Sequence, residues 1–187
     1  RPFVDLLKTF FLIERDDRIA TVVLRIQPLE IGWGKADELR ASIARLREKG
    51  HKTIALLEVQ SFSANKELYV GSAADELWVA PGAGVPLVGM AAEYIFLGGF
   101  WQKLGVDFDI ARAGKYKSAV ELFSERTMSE ASREMANSLL DDTYARFVAA
   151  LPADREKTPD AIRETIDQGY VHARELKEAG LIEGRIP

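Results

Sequence analysis

Two short aliphatic runs, Ile19–Ile26 (IATVVLRI) and Thr53–Leu57 (TIALL), enclose a stretch in which Ala36, Leu39, Ile43 and Leu46 recur at three- and four-residue intervals. The outer runs have the β-branched character of buried strands, and the middle stretch has the period of an amphipathic helix. Joined this closely, they make a β–α–β unit with its two strands parallel in one sheet. Continuous apolar runs of this kind belong to parallel sheets covered on both faces.

The rest of the chain extends that pattern. Phe3–Glu14 reads as an apolar helix, and Gly50 stops the helix that precedes the second strand. A short helix over Ala64–Ala74 leads to a third strand at Leu77–Val79, closed by Pro81-Gly82. Ala91–Leu104 is apolar nearly all round, which predicts a buried helix, inside this domain or against a partner. Val106–Ala111 reads as a further strand. The longest helix starts at Thr127 or Ser129, carries Met135, Leu139, Tyr144, Phe147, Val148 and Leu151 as its stripe, and stops at Pro152. Pro159 opens a helical pair running to Ala179, and the Gly180-Leu-Ile stretch returns a short strand. The expectation is an α/β fold: one domain over 1–187, with a helical portion over about 127–180.

Composition removes several functions. With no cysteine, disulfides, thiolate catalysis and cysteine zinc sites are excluded. The two histidines, His51 and His172, lie far apart without metal-ligand spacing and are expected at the surface or at helix ends. A net charge of −4 and no Lys/Arg-rich run with interleaved aromatics argue against nucleic acid. No run of 18 or more apolar residues exists, so no transmembrane helix is expected. The chain opens in mid-pattern at Arg1, as a segment of a larger protein would.

The segment with most chemical content is Ala113–Phe123, AGKYKSAVELF, directly after the expected strand at Val106–Ala111. Open α/β sheets gather ligands at the carboxyl ends of their strands. A lysine acting as a base there must titrate about three pH units below its ordinary value. Spacing alone leaves Lys117 open between that role and a solvated charge.

The segment also resembles signal peptide peptidase A, a serine/lysine peptidase family of the Clp protease–crotonase superfamily. The likeness continues through the helix start at Met128–Glu134, IGWGKADELRASI at Ile31–Ile43, ELYVGSAADELWVAP at Glu67–Pro81, KLGVDF at Lys103–Phe108 and the Ala173–Ile182 stretch. It implies a ββα superhelix and assigns to Lys117 the general base that deprotonates a serine. Lys115 could assist by like-charge repulsion, though a surface role suits it better. Neither metal nor cofactor is implied.

Departures from the family pattern identify the part. Aligned on Leu68-Tyr69, Asn65 stands where the family has its serine, and Lys66 and Glu67 replace two glycines, where they would crowd a substrate. Ser61, Ser63 and Ser72 fit structural roles better than a nucleophile, and Ser118, adjacent to Lys117, is worse placed still. The turn after the first strand, Gln27–Gly34, lacks the family's Pro-Gly-Gly-like oxyanion loop, and Glu30 would oppose an oxyanion. Long family members are tandem duplications in which the N-terminal copy gives the lysine and the C-terminal copy the serine.

The resemblance thus implies an N-terminal copy. Its partners would be a C-terminal catalytic copy, neighbouring protomers of a homo-oligomer and hydrophobic peptides such as remnant signal peptides. The full-length protein would be anchored in the membrane of the bacterial cell envelope, with the anchor outside this chain. The alternative is a non-catalytic domain that only builds the assembly. An acyl-CoA-handling enzyme of the crotonase branch lacks its acidic residue here.

Overall fold

The computed structural model describes residues 2–111, 114–155, 157–169 and 172–186, with side chains omitted at 152–155. By contacts the chain divides into two compact units, Arg1–Gly89 with Arg146–Pro187, and Met90–Ala145.

In the first unit, α1 (Phe3–Ile13) leads to β1 (Thr21–Ile26), α2 (Trp33–Glu48) and β2 (Lys52–Leu57). The β–α–β reading holds: β1 and β2 pair in parallel, from Thr21 opposite Lys52 to Ile26 opposite Leu57. Gly50, at φ 89°, ends the connection after α2, a conformation that glycine adopts without steric cost. After α3 (Asn65–Gly71), β3 (Glu76–Val79) pairs in parallel with β2. The second unit contains α4 (Gly98–Lys103), α5 (Glu121–Ser124) and the start of the 26-residue α6 (Glu130–Arg155), whose residues from Arg146 onward belong to the first unit. Then α7 (Pro159–Asp167), α8 (Ala173–Glu178) and the two-residue β4 (Gly184–Arg185) complete a four-stranded sheet of order β1-β2-β3-β4.

The predicted stripe of α2, Ala36, Leu39, Ile43 and Leu46, is buried. Each of its Leu and Ile side chains gains about 1.5–3 kcal/mol on leaving water. It shares the core with Ala55 and Leu57 of β2, Leu77 and Val79 of β3, and Phe147, Val148 and Leu151 of α6. Arg40 ties three helices: its guanidinium donates to the Tyr69 carbonyl (2.6 Å), the Ser72 hydroxyl (2.7 Å) and the Ala150 carbonyl (2.9 Å). Asp75 closes the head of β3 on β2 by accepting from the Thr53 amide (2.8 Å) and hydroxyl (2.9 Å).

Several expectations are corrected. β1 is not a strand buried on both faces: Val22 and Ile26 are buried, whereas Val23 is 60% exposed. β-Branched residues occupy both faces of β1, so its periodicity hides the difference. Ala91–Leu104 is not one buried helix; only Gly98–Lys103 is helical, and Ile95 is 75% exposed. The amides of Leu97 and Gly98 bond instead to the carbonyls of Leu122 (2.7 Å) and Glu125 (3.0 Å). The glycine pair opens the helical turn, and a Cβ at Gly98 would run into the Ser124 and Glu125 carbonyl oxygens.

Val106–Ala111 forms no strand, because no neighbouring strand pairs with it. Helix α6 continues past Pro152, which sits in the last turn, where its missing N–H removes only one bond. The final strand lies at Gly184–Arg185, beyond the apolar Leu181-Ile182 that suggested it. His51 is buried, with Nδ1 2.6 Å from the Ile19 carbonyl, while His172 is exposed at the start of α8 as expected. Among the described residues no helix is long and apolar enough to cross a membrane.

Candidate functional site

The segment aligned with the family's serine lies in the first unit, at the start of α3. Ser61 and Ser63 close a local turn: the Ser61 hydroxyl donates to the Ser63 carbonyl (2.6 Å) and accepts from its amide (3.1 Å). Ser72 is buried, donating to the Tyr69 carbonyl (3.1 Å) and accepting from Arg40. Asn65 is buried too, and its amide clasps the backbone of Val88, donating to the carbonyl at 2.8 Å and accepting from the N–H at 3.2 Å.

Lys66 and Glu67 do more than crowd this place. The Lys66 ammonium donates to the carbonyls of Leu29 (2.8 Å) and Ile31 (3.0 Å), and the buried Glu67 carboxylate accepts from the Leu29 amide (2.6 Å). The turn after β1 is therefore fastened to α3 by both side chains. An oxyanion hole needs backbone N–H groups free to meet developing negative charge. The Leu29 N–H already serves a carboxylate. The opposing carboxylate is Glu67 rather than the expected Glu30, which is exposed.

The lysine-bearing segment lies in the second unit. Arg112 and Ala113, at its head, fall outside the described residues. Gly114, at φ 102°, opens a turn closed by the Lys117 amide on the Gly114 carbonyl (3.3 Å). This stretch is irregular up to α5, not helical. Lys115 donates to Glu134 Oε2 at 2.8 Å, and the Tyr116 hydroxyl donates to Glu134 Oε1 at 3.1 Å. The Glu134 hydrogen bond, helped by Tyr116, holds Lys115 above the usual lysine range, and Lys115 in turn holds Glu134 below the usual carboxylate range. Lys115 thus occupies the surface role.

Lys117 is exposed and makes no ion pair or side-chain hydrogen bond among the described residues. It borders an open groove of about 770 Å³ lined by Tyr94, Ala111, Tyr116, Ser118, Ala119, Val120, Leu122, Ser132 and Met135. Ser118 is buried where Lys117 is exposed, so the two side chains are differently placed. Just beyond, the buried Glu121 carboxylate accepts from the Ser129 hydroxyl (2.9 Å) and amide (3.3 Å). Ser129 in turn accepts from the Ser132 amide (3.2 Å), capping α6. The sequence reading missed Glu121 and Glu134. Glu134 stands in the Met128–Glu134 stretch, yet no local pattern links it to residues 115 and 116.

A family model described as peptidase family S49 matches residues 45–185. The chain belongs to peptidase family S49. It is 35% identical over 178 residues to the serine protease SPPA, chloroplastic, of Arabidopsis thaliana, covering 95% of this chain and 26% of that protein. It is 28% identical over 121 residues to protease 4 of Salmonella typhi, covering 65% and 19% respectively. With protease 4 of Haemophilus influenzae it shares 26% identity over 165 residues, covering 88% and 26%. The chain spans about a quarter or less of the length of these three relatives.

Proposed function

We propose that this chain supplies the general base Lys117 to a serine/lysine endopeptidase whose serine nucleophile comes from another domain. The observation that carries the reading is the state of the two lysines of the motif: Lys115 is held by Glu134, while Lys117 has no partner among the described residues. The frame we infer is the Clp protease–crotonase ββα superhelix, used here as the N-terminal copy of a duplicated protein. A C-terminal copy in a homo-oligomer provides serine and oxyanion hole. The full-length protein is held at the membrane of the bacterial cell envelope and degrades remnant signal peptides or similar hydrophobic segments.

The chemistry runs in two halves. Acting as the base, Lys117 takes the serine proton as the serine oxygen attacks the scissile carbonyl, then returns it to the departing amine as the acyl-enzyme forms. Lys117 next takes a proton from water as its oxygen attacks the acyl carbon, then hands that proton to the departing serine oxygen as the acid is released. General-base removal typically costs about 10²–10⁴-fold in rate. Lys117→Ala in the full-length protein should lose peptide hydrolysis to that extent while its assembly, read by light scattering, is unchanged. Undiminished hydrolysis overturns the reading. The exposure of Lys117 also fits a second reading, a non-catalytic domain that only builds the assembly, which predicts undiminished hydrolysis in Lys117→Ala.

A further inference from the structure

We propose that Glu134 is a positioning residue for Lys117, holding through Lys115 and Tyr116 the turn from which the ammonium meets the groove. The inference rests on the reading of Lys117 as the base. Consecutive side chains, Lys115 and Tyr116, converge on the two oxygens of one carboxylate, at 2.8 and 3.1 Å. With both tied to the same point, the backbone entering residue 117 has little freedom to turn. Four residues later the chain is fastened again, by the buried Glu121 on Ser129. Both anchor points, Ser129 and Glu134, belong to the first turns of α6 and its cap, the longest helix of the chain. Lys117 lies between the two fastenings.

The arrangement is poorly suited to stabilising the fold. The side chains of Lys115 and Glu134 are 61% and 55% exposed, and ion pairs so open to water add little stability. Geometry is more demanding than stability: a displacement of about 1 Å at a reacting group can cost roughly 10²-fold in rate. Loss of Glu134 should therefore be felt in turnover, not in folding.

The test uses the full-length protein and a hydrophobic peptide substrate. Glu134→Ala should lower kcat by roughly 10-fold or more, leave KM within about twofold, and leave the melting temperature near that of the parent. Glu134→Gln, which keeps an acceptor oxygen, should recover most of the loss. Lys115→Met with Tyr116→Phe should reproduce the Glu134→Ala defect and add nothing to it. If Lys117→Ala abolishes turnover but Glu134→Ala keeps the parent kcat, the positioning role is overturned and the base survives. If Lys117→Ala stays active, both fall together. A Glu134→Ala enzyme that loses activity only in step with its folded fraction also overturns the proposal.

Discussion

Lys66 and Lys117 each follow a short polar turn, in different units of the chain, and their ammonium groups have opposite surroundings. Lys66 donates to two backbone carbonyls beside a carboxylate that takes the neighbouring amide. Lys117 makes no such bond among the described residues, although its own turn is fastened on either side. In one place the ionic side chains themselves hold the backbone. In the other, neighbours hold the backbone so that one ionic side chain stays available. Availability, not charge, separates a structural lysine from a candidate base.

Exchanging the fates of the two lysines breaks this comparison most strongly. Lys117→Met in the full-length protein should reduce hydrolysis by roughly 10²–10⁴-fold with little change in melting. Lys66→Met should do the reverse, leaving turnover within about threefold and costing about 1–3 kcal/mol of stability, because two carbonyls lose a charged donor. Comparable activity losses in both variants would erase the distinction.

Next in size are changes to the fastenings. Glu67→Ala leaves the Leu29 amide without its acceptor and should cost about 1–3 kcal/mol, measured by urea unfolding. Gly98→Ala should cost about 1–3 kcal/mol or more by overpacking against the 124–125 carbonyls, and proteolysis should show the loss within the Met90–Ala145 unit. If Gly98→Ala is neutral, that unit is more adaptable than its close contacts imply.

The smallest effect is one of pH. Burial, together with the Asp37 carboxylate that accepts a hydrogen bond from it at 2.6 Å, pushes the Tyr69 phenol up to about 12 from 10.0. A group raised in this way gives its full stabilisation below its unfolded value and loses it as pH rises toward the folded one. The melting temperature should therefore decline between about pH 10 and pH 12, and Tyr69→Phe should flatten that part of the curve. An unaltered slope in the variant would assign the decline to other groups.

The sequence revealed most where one residue set satisfies one local period. The α2 stripe and the β2 run were legible because their patterns differ and Gly50 separates them. Residues 94–101 misled because near-uniform apolarity carries no period, and the amides of Leu97 and Gly98 bond to the carbonyls of Leu122 and Glu125 instead of along a helix. Lys117 stood out through family resemblance alone. Its supports remained hidden, because Lys115 and Glu134 are 19 positions apart and meet only once the chain has folded back. The same limit concealed the link from Glu67 to Leu29, 38 positions apart.

The Asn65 clasp on Val88 sets the terms on which this domain could change its trade. On the alignment that puts Asn65 at the nucleophile position, Asn65→Ser would restore a hydroxyl but strand the Val88 N–H and carbonyl. It would also leave Leu29 committed to Glu67 and Lys66. Asn65→Ser alone is therefore expected to lower stability without opening the Leu29 amide. If the serine is supplied by a partner as proposed, a single substitution at Asn65 would not free this domain from that need.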